Sequence, residues 1–206
     1  DIYTDRCRSS MAQPPLSVRL GMWRLTRHPA TRRLYDIIEK QGVILAQLDR
    51  FQRPVDGDFN TVEPPAGVRL STAKAADRVP DRLAQAPLAP VDTIVWAHRG
   101  TETIGSCCLS HRPVYVPELH RRLKFDGTYL WKLFVAPAER GRSIGSAIIG
   151  QAIESSAASV AKIEALVAPD NIPSRHAFSG CGFQPVERFT SLGIGRHQWH
   201  RRRSFE

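Results

Sequence analysis

One segment constrains the fold of this chain more than any other, because an apolar strand runs directly through a turn of small residues into an amphipathic helix. It is Leu133–Ile153, LFVAPAERGRSIGSAIIGQAI, in which Pro137 ends the strand. From Ser143 to Ser156 the helical period places Ile144, Ala147, Ile148, Gln151 and Ala152 on one face. The N–H groups at a helix N-terminus are unpaired and carry the positive end of the helix dipole. The segment therefore predicts a turn that can bind phosphate oxygens.

The side chains of this turn fit the same interpretation. Four of its residues are small enough for a ligand to approach the backbone, namely Gly141, Ser143, Gly145 and Ser146. Arg140 and Arg142 add positive charge beside them. The pattern is neither GxGxxG nor a Walker A loop, since no Gly-Lys-Ser/Thr follows. A tight strand-to-helix connection with solvated arginines is the alternative, and these residues alone leave both interpretations open.

The chain around this segment alternates strand-like and helix-like stretches. Strands are predicted at Val68–Ser71, Asp92–His98, Glu102–Ser110, Thr128–Ala136, Lys162–Val167, Gln184–Thr190 and Ile194–Trp199. Further helices are predicted at Ala73–Leu83 and Pro173–Ser179, with an irregular segment at His111–Gly127. Arg99-Gly100-Thr101 has the composition of a hairpin turn. Hairpins followed by strands that alternate with helices predict an α/β (α+β) domain with a mixed central sheet.

The first third of the chain suggests a separate extension. From Pro29 to Phe51 the apolar residues recur at spacings of three, four and seven, which predicts one long amphipathic helix. Residues 52–65 are polar and rich in turn formers, as expected of a linker. We therefore expect an N-terminal extension over residues 1–65 and a second domain over residues 66–206.

Charge and cysteine content narrow the class of protein. The chain has 206 residues, 29 Lys+Arg against 20 Asp+Glu and a net charge of +9, which predicts an anionic partner. The longest stretch without a charged residue has 11 residues, whereas a bilayer-spanning helix needs about 20. The first fifteen residues contain no apolar signal-peptide region, and the four cysteines form no CxxC pair. We expect a cytoplasmic, reduced protein that does not cross a membrane.

The phosphate-binding turn resembles motif A of the GCN5-related N-acetyltransferase (GNAT) superfamily, Arg/Gln-x-x-Gly-x-Gly/Ala after a strand. Arg140 to Gly145 occupy this pattern, with Ser143 in place of the usual central glycine. Downstream, EALVAPDNIPSRHAFSGCGFQPV resembles the family's motif B, with Asn171 and the Gly182-Phe183 pair in register. The resemblance covers roughly residues 66–199. It implies a mixed central sheet with two splayed strands, flanked by helices and here preceded by the N-terminal helical extension.

The resemblance also implies a cofactor, acetyl-CoA or another short acyl-CoA, whose pantetheine arm lies between strands Tyr129–Ala136 and Lys162–Val167. The amides of Phe134 and Val135 would face the acyl and pantetheine portion, and Asn171 would face the pantetheine. The pyrophosphate would lie against the turn formed by Arg140, Gly141, Arg142, Ser143, Ile144, Gly145 and Ser146. From the residues alone, Asn171 before Pro173 also fits a helix cap.

The catalytic groups are less clear, because the chain departs from the family at two positions. Phe178 stands where many members have a proton-donating Tyr, so Ser179 beside it or a water would have to serve. Tyr129 stands where histone-type members have a basic Glu, and a phenol with a pKa near 10 is a poor base at neutral pH. The other candidate bases are Asp126, Glu102, His111 and His120, each also compatible with a solvated loop or strand end, and we rank His120 and Asp126 first. Deprotonation through water without an essential base is a further possibility.

Three other sequence features have simpler explanations. Phe178 suits a core aromatic that packs its helix on the sheet, and Cys181 suits a small buried apolar residue, although a thiol near the pantetheine could react with a thioester. Cys107 and Cys108 lie on opposite faces of a strand without metal-ligand spacing, and we expect no metal site.

Two functions follow from these observations. The first is an N-acyltransferase that moves an acetyl group from CoA to the amine of a small molecule or protein. The second is a catalytically weak domain of the same fold that binds acyl-CoA or nucleic acid. The arginine-rich segment Arg196–Arg203 suits a solvated, mobile end better than a nucleic-acid contact, so a nucleic-acid partner is not expected. The long helix and His111–Gly127 are expected to cover the acceptor site, and a homodimer is possible.

Overall fold

The computed structural model describes residues 43–56, 62–77, 83, 88–157, 160–194 and 197–205. Within these ranges the strands are β1 Val43–Pro54, β2 Val68–Lys74, β3 Thr93–Arg99, β4 Glu102–Ser110, β5 Val114–Val116, β6 Arg121–Leu123, β7 Thr128–Val135, β8 Lys162–Val167, β9 Gln184–Ile194 and β10 His197–Ser204. The α-helices are α1 Ile144–Ser156 and α2 Ile172–Gly180. Neither of them is long and apolar enough to cross a bilayer.

The fold centres on one eight-stranded sheet with the order β10-β9-β1-β8-β7-β4-β3-β2, and β5 and β6 form a separate hairpin. Neighbours in the large sheet are antiparallel except β7 and β8, which are parallel. A parallel pair needs a crossover connection, and α1 supplies it. The mixed sheet and the splayed strands predicted by the sequence are therefore confirmed.

The sheet carries a different apolar layer on each face. On one face α1 and α2 pack against side chains such as Val95, Leu130 and Ile163. On the other face the segment between β4 and β7, which includes β5 and β6, covers Trp96, Tyr129 and other side chains. Neighbouring residues of a strand point to opposite faces, so interior strands of this sheet are apolar on both sides.

The predicted helix over Pro29–Phe51 is wrong where the structure can test it. Residues 43–51 belong to β1, while residues 29–42 lie outside the described part of the chain. β1 is an interior strand that pairs with β8 on one side and β9 on the other. It buries Ala46 and Leu48 on one face and Phe51 on the other, so its apolar residues occur at spacings of two and three. A strand buried on both faces can therefore imitate a helical period over a few residues.

Buried charges anchor β1 in the sheet. The Arg53 Nη1 donates to the carbonyl oxygen of Cys181 at 2.7 Å, just after the end of α2. The carboxylate of Asp49 accepts from Arg175 Nη1 at 2.5 Å and from Arg188 Nε at 2.6 Å. Because these contacts join β1 to both α2 and β9, we propose that the folded domain begins at or before Val43 rather than at residue 66.

Most other predicted elements are confirmed, with four corrections. The predicted strand Ile194–Trp199 is wrong, because Ile194 ends β9 while His197 begins β10, which runs antiparallel to β9. The segment His111–Gly127 is not wholly irregular, because it contains β5 and β6. The described part of Ala73–Leu83 is not an α-helix, because residues 73–74 end β2 and residues 75–77 form a turn. The arginine-rich C-terminal segment is not a loose end, because its residues 197–204 pair with β9 as the exposed edge strand β10. Local composition could not reveal this pairing, since it depends on a partner strand elsewhere in the chain.

We predict that Phe51→Ala lowers the free energy of unfolding by about 3–5 kcal/mol, as expected for the loss of a fully buried aromatic side chain. Phe51 is 1% exposed and packs beside Phe178. Urea denaturation at constant m-value would measure the change. Phe205→Ala is the matched control, since Phe205 is 37% exposed and should cost less than about 1 kcal/mol. Equal losses for the two variants would contradict the interior position of β1.

Candidate active site

β7 and β8 separate after a short stretch of parallel pairing. The pairs are Thr128↔Ile163, Tyr129↔Glu164 and Leu130↔Ala165. β7 then continues to Val135 and β8 to Val167 without further pairing between them. The facing edges of the two strands thus leave a gap in the middle of the sheet, where an extended ligand could take the place of a strand.

A bulge in β7 explains why the strands part. Lys132 has φ of 55°, in the left-handed region that a non-glycine residue seldom adopts. The register with β4 shifts there, since Cys108 lies opposite Trp131 while Ser106 lies opposite Phe134. A bulge bends its strand and increases the local twist. β7 therefore stays on β4 while its second half turns away from β8.

The first turn of α1 lies at the open end of this gap. Gly141 has φ of 76° and Ser143 has φ of 58°, and α1 begins at Ile144. The first hydrogen bond of the helix is donated by Ala147 N to Ser143 O at 3.0 Å. The amides of Ile144, Gly145 and Ser146 therefore precede it and have no acceptor within the helix. Ser143 occupies a backbone conformation that favours glycine, in agreement with the glycine expected there from the resemblance.

Gly105 fixes how close α1 lies to the sheet. A Cβ atom at this position would be 2.7 Å from Ile148 Cδ1 and 2.9 Å from the carbonyl oxygen of Phe134. No larger side chain fits between β4, β7 and α1 without displacing backbone. The close approach holds α1 against β4 and β7, and Val135 Cγ2 lies 3.7 Å from the position of a Cβ at Gly145, so the first turn of α1 lies beside the end of β7. We refer to this turn and the gap together as the groove.

The charges around the turn are arranged to leave it positive. Arg140, Gly141 and Arg142 are exposed, and Arg140 Nε donates to Val135 O at 3.2 Å. The nearby acid, Glu139, accepts from Arg99 Nε and Nη2, both at 3.0 Å. These hydrogen bonds lower the pKa of Glu139 and compensate its negative charge. Arg99 thus counters the carboxylate that would otherwise repel an anion at the turn.

The strand ladder separates the roles of Phe134 and Val135. Ala136 N donates to Ile104 O at 2.8 Å, and Phe134 lies opposite Ser106. N–H groups alternate between the two edges of a strand, so the Phe134 amide faces β4 as that of Ala136 does. The Val135 amide faces the gap. The ladder therefore supports Val135, and opposes Phe134, as a donor to a ligand between the strands.

Asn171 lies at the start of α2, beyond the end of β8. Its Oδ1 accepts from Ser174 N at 3.3 Å, which makes it the N-cap of the helix. The cap interpretation is confirmed, and a cofactor contact by the rest of the side chain stays a prediction. Phe178 in the same helix is 3% exposed and packs against Phe183 with ring centroids 5.1 Å apart, so its core role is confirmed as well.

Tyr129 is poorly suited to act as a base. It is buried at the closed end of the gap and stacks on Phe125 with ring centroids 4.0 Å apart. Burial raises its pKa far above the usual value of 10.0. A phenol with a pKa raised in this way stays neutral at physiological pH. The geometry therefore gives no support to the predicted role of Tyr129 as a base.

The other candidate catalysts are spread over separate parts of the surface. The Asp126 carboxylate is 3.1 Å from Lys162 Nζ, whose hydrogen bond lowers the pKa of Asp126 and weakens it as a base. Asp126 lies just before β7, and the seven residue steps of extended chain from Thr128 to Val135, at about 3.3 Å each, put Val135 roughly 23 Å from that end of the strand. His120 follows the 3-10 turn Pro117–Leu119, and Ser179 is exposed on α2. The structure does not bring these side chains together.

Cys181 is buried after α2 and donates its thiol hydrogen to Ser146 O at 3.6 Å. Burial raises the pKa of this thiol, which disfavours the reactive thiolate. Its place in the core agrees with the simpler of the two predicted roles.

A network of buried charges was missed by the sequence interpretation. Glu164 Oε2 accepts from the amides of Asp126 and Gly127 at 2.9 and 3.1 Å, and its Oε1 is 3.3 Å from Arg50 Nη1. Arg50 Nε is 3.3 Å from Glu187 Oε2, so Arg50 joins β8 to β9. A glutamate within the apolar strand KIEALV was the only local signal, because a buried charge requires a partner.

We predict that Arg99→Gln destabilises the fold in a pH-dependent manner. The pKa of Glu139 is lowered in the folded state, so its stabilising contribution is present above the usual value of 4.5 and is lost as the pH falls through the lowered pKa. The difference in unfolding free energy between wild type and variant should therefore shrink as the pH falls below 4.5. The same substitution in a Glu139→Gln background should show no such trend, and a constant difference in the wild-type background would contradict the pairing.

Comparison with known proteins agrees with this architecture. The model of the acetyltransferase (GNAT) family matches residues 68–183. A tandem GNAT protein from the clavulanic acid biosynthesis pathway is similar with a TM-score of 0.52 and 14% identity, over 82% of this chain and 58% of that one. A Drosophila protein gives a TM-score of 0.50 and 13% identity, over 82% and 56% of the two chains. No curated protein matches the chain.

The identities to the solved structures are low, so these likenesses show the fold alone, and this chain spans less than two thirds of either protein. The family model is more specific. It covers more than half of the chain and includes the bulged strand β7, the turn before α1, and α2. The chain therefore belongs to the GNAT family of acetyltransferases.

Proposed function

We propose that this protein is an N-acetyltransferase that moves an acetyl group from acetyl-CoA, or another short acyl-CoA, directly to an amine. The observation that carries the proposal is the gap between β7 and β8, which leads to the unpaired amides at the start of α1. A slot of strand width that ends at an anion-binding helix terminus matches a ligand with an extended arm and a pyrophosphate.

The residues along the groove fit such a cofactor. The Val135 amide and its neighbours on the edge of β7 would hydrogen-bond the pantetheine arm, in the way that an added strand is held. The amides of Ile144, Gly145 and Ser146 would hold the pyrophosphate, with Arg140 and Arg142 adding charge. Gly145 has no side chain that would block a ligand. The atom nearest to the position that a Cβ would occupy there is Val135 Cγ2, at 3.7 Å.

The cofactor supplies an activated acyl thioester, and the chain has to position it and handle protons. Direct transfer needs a neutral amine and a proton source for the thiolate that leaves. Phe178 has no proton to give and Tyr129 is buried with a raised pKa. We therefore assign proton transfer to water and to Ser179, which is exposed on α2 beside Phe178.

The alternative is a domain that binds acyl-CoA without efficient turnover. The same two observations favour it, because Phe178 and Tyr129 stand where catalytic groups of the family are expected. The gap between β7 and β8 and the unpaired amides of α1 are common to both proposals, so binding of acyl-CoA is expected under both. Turnover distinguishes them.

The acceptor would approach the face of the sheet opposite α1. There the segment between β4 and β7 covers Tyr129 and Trp131 with residues such as Leu119 and Phe125. We expect this segment to cover the acceptor site, and its packing supports that proposal. The second predicted cover, the helix over Pro29–Phe51, does not exist over residues 43–51.

Binding of acetyl-CoA is the first prediction of this proposal, and isothermal titration measures it. Arg140→Gln/Arg142→Gln should weaken binding at least tenfold, because both cations flank the turn. Arg122→Gln/Arg203→Gln changes the net charge equally at two exposed positions on β6 and β10 and should leave the affinity within about twofold. Equal losses in both double variants would show only a general charge effect and would contradict the assignment.

Turnover is the second prediction, and release of the CoA thiol in the presence of an amine panel measures it. We expect release with at least one amine, at a rate that rises with pH as the amine loses its proton. Ser179→Ala should lower kcat at least tenfold, whereas His120→Gln and Asp126→Asn should retain kcat within about threefold. Binding without release for every amine would establish the alternative, and full activity of Ser179→Ala would leave water as the proton source.

A further inference from the structure

A cavity of about 120 Å³ lies on the face of the sheet opposite α1. Its floor is formed by β1, β9 and β10, and its roof by the segment Leu119–Phe125. Phe189 on β9 lies opposite Arg202 on β10, so both side chains are on this face. Glu187 is two residues from Phe189 on β9 and therefore shares the face, as does Arg50, which lies opposite Glu187. The cavity thus lies between two parts of the domain and is partly open to solvent, since Arg121, Lys124 and Arg202 are exposed.

The position of the cavity relates it to the gap between β7 and β8. Arg50 on β1 lies opposite Leu166 on β8. Leu166 is the first residue of β8 beyond Ala165, where the pairing with β7 ends. Adjacent strands are about 4.8 Å apart, so the Arg50 backbone lies one strand from the place where the gap opens. The end of the cavity at Arg50 therefore lies near that opening, whereas its end at Arg202 on β10 lies three strand spacings, about 14 Å, from β8.

Positive charge dominates the lining. Arg50, Arg121, Lys124 and Arg202 contribute to it, together with His200, and among the described residues no acidic side chain lines the cavity. The acids behind the floor, Glu164 and Glu187, are held by Arg50 and Arg202. In the part of the chain that the structure describes, no ion pair includes Arg121 or Lys124. The cations thus exceed the acids, and the excess attracts an anion.

The rest of the lining limits the size and character of that anion. Leu119, Leu123, Phe125 and Phe189 give apolar walls, while Ser191 adds a hydroxyl group. The volume of about 120 Å³ is several times what one water needs, so the cavity holds a small polar group. A phosphate or carboxylate on a short apolar stem fits this volume, whereas a polyamine or a lysine side chain would place positive charge among the arginines.

We propose that this cavity binds the anionic group of the acceptor, so that the protein acetylates amines that also carry a carboxylate or a phosphate monoester. The inference rests on the proposed transfer function and names its substrate class. The anionic group lies among Arg50, Arg121 and Arg202, and the amine extends towards the opening beside Leu166. Cationic acceptors are excluded by repulsion from the same side chains.

Paired probes test this directly, because each pair differs in the anionic group alone. Phosphoethanolamine is compared with ethanolamine, and glycine with glycinamide, in thiol-release assays with acetyl-CoA and in direct titrations of the full chain with CoA present. We expect the anionic member of at least one pair to bind, and to have the higher kcat/KM by at least tenfold. Comparison of the phosphate-bearing pair with the carboxylate-bearing pair shows which anionic group the cavity binds.

Two double variants locate the effect. Arg121→Gln/Arg202→Gln removes two lining cations and should lower the affinity and kcat/KM for the preferred anionic probe at least tenfold. Arg122→Gln/Arg203→Gln removes the same charge from the neighbouring positions, which do not line the cavity, and should change neither by more than about twofold. Acetyl-CoA affinity and thermal melting, measured for both variants, show that the fold and the cofactor groove are retained.

The outcomes separate this inference from the proposed function. Binding of an anionic probe that is lost only in Arg121→Gln/Arg202→Gln supports the inference even if no thiol is released, in which case the transfer function fails alone. Turnover of ethanolamine or glycinamide at least as fast as of their anionic partners overturns the inference while the function stands. Failure of both anionic probes to bind overturns it as well, as does an equal loss in the control variant.

Discussion

The separation of β7 from β8 is the constraint on which the rest of the structure depends. Two neighbouring parallel strands normally continue to pair, and here the bulge at Lys132 prevents this after Leu130. The closed end is held by Glu164, which accepts from the amides of Asp126 and Gly127 immediately before β7. Gly127 is obligatory there, since a Cβ would lie 2.0 Å from Lys162 O. One end of the strand pair is thus locked and the other end is forced open.

The flank of the sheet beyond β8 is completed by a strand from the start of the described chain. β1 lies outside the range matched by the family model, yet it occupies the interior position between β8 and β9. Its alternate residues serve different purposes. Phe51 and Arg53 pack towards α2, whereas Arg50 joins the acids of β8 and β9 beneath the cationic cavity. The strand therefore supports both the face of the sheet that carries α2 and the opposite face.

The sequence predicted an element correctly where its local signals agree with its role in the folded domain. The turn at Arg140–Ser146 could be predicted, because its small residues, charges and helix period all agree, and the strand ladder supports Val135 beside it. β1 could not be predicted, because a strand that is buried on both faces lacks the strict alternation of apolar and polar residues. The roles of Phe134 and Tyr129 could not be predicted either. Which edge of β7 the Phe134 amide faces, and how deeply the Tyr129 phenol is buried, both depend on the neighbouring strands. Of the basic residues that give the chain its net charge of +9, Arg140 and Arg142 lie at the turn and others line the cavity.

The central claim is that a cofactor occupies the gap and ends at the first turn of α1. Backbone amide NMR of the full chain, titrated with CoA, tests it most directly, because each amide reports its own surroundings. The account predicts the largest shift changes at Val135, Ile144, Gly145 and Ser146, with little change at Arg122 or in β10. Changes confined to β9 and β10, or no changes at the start of α1 under saturating CoA, would contradict it.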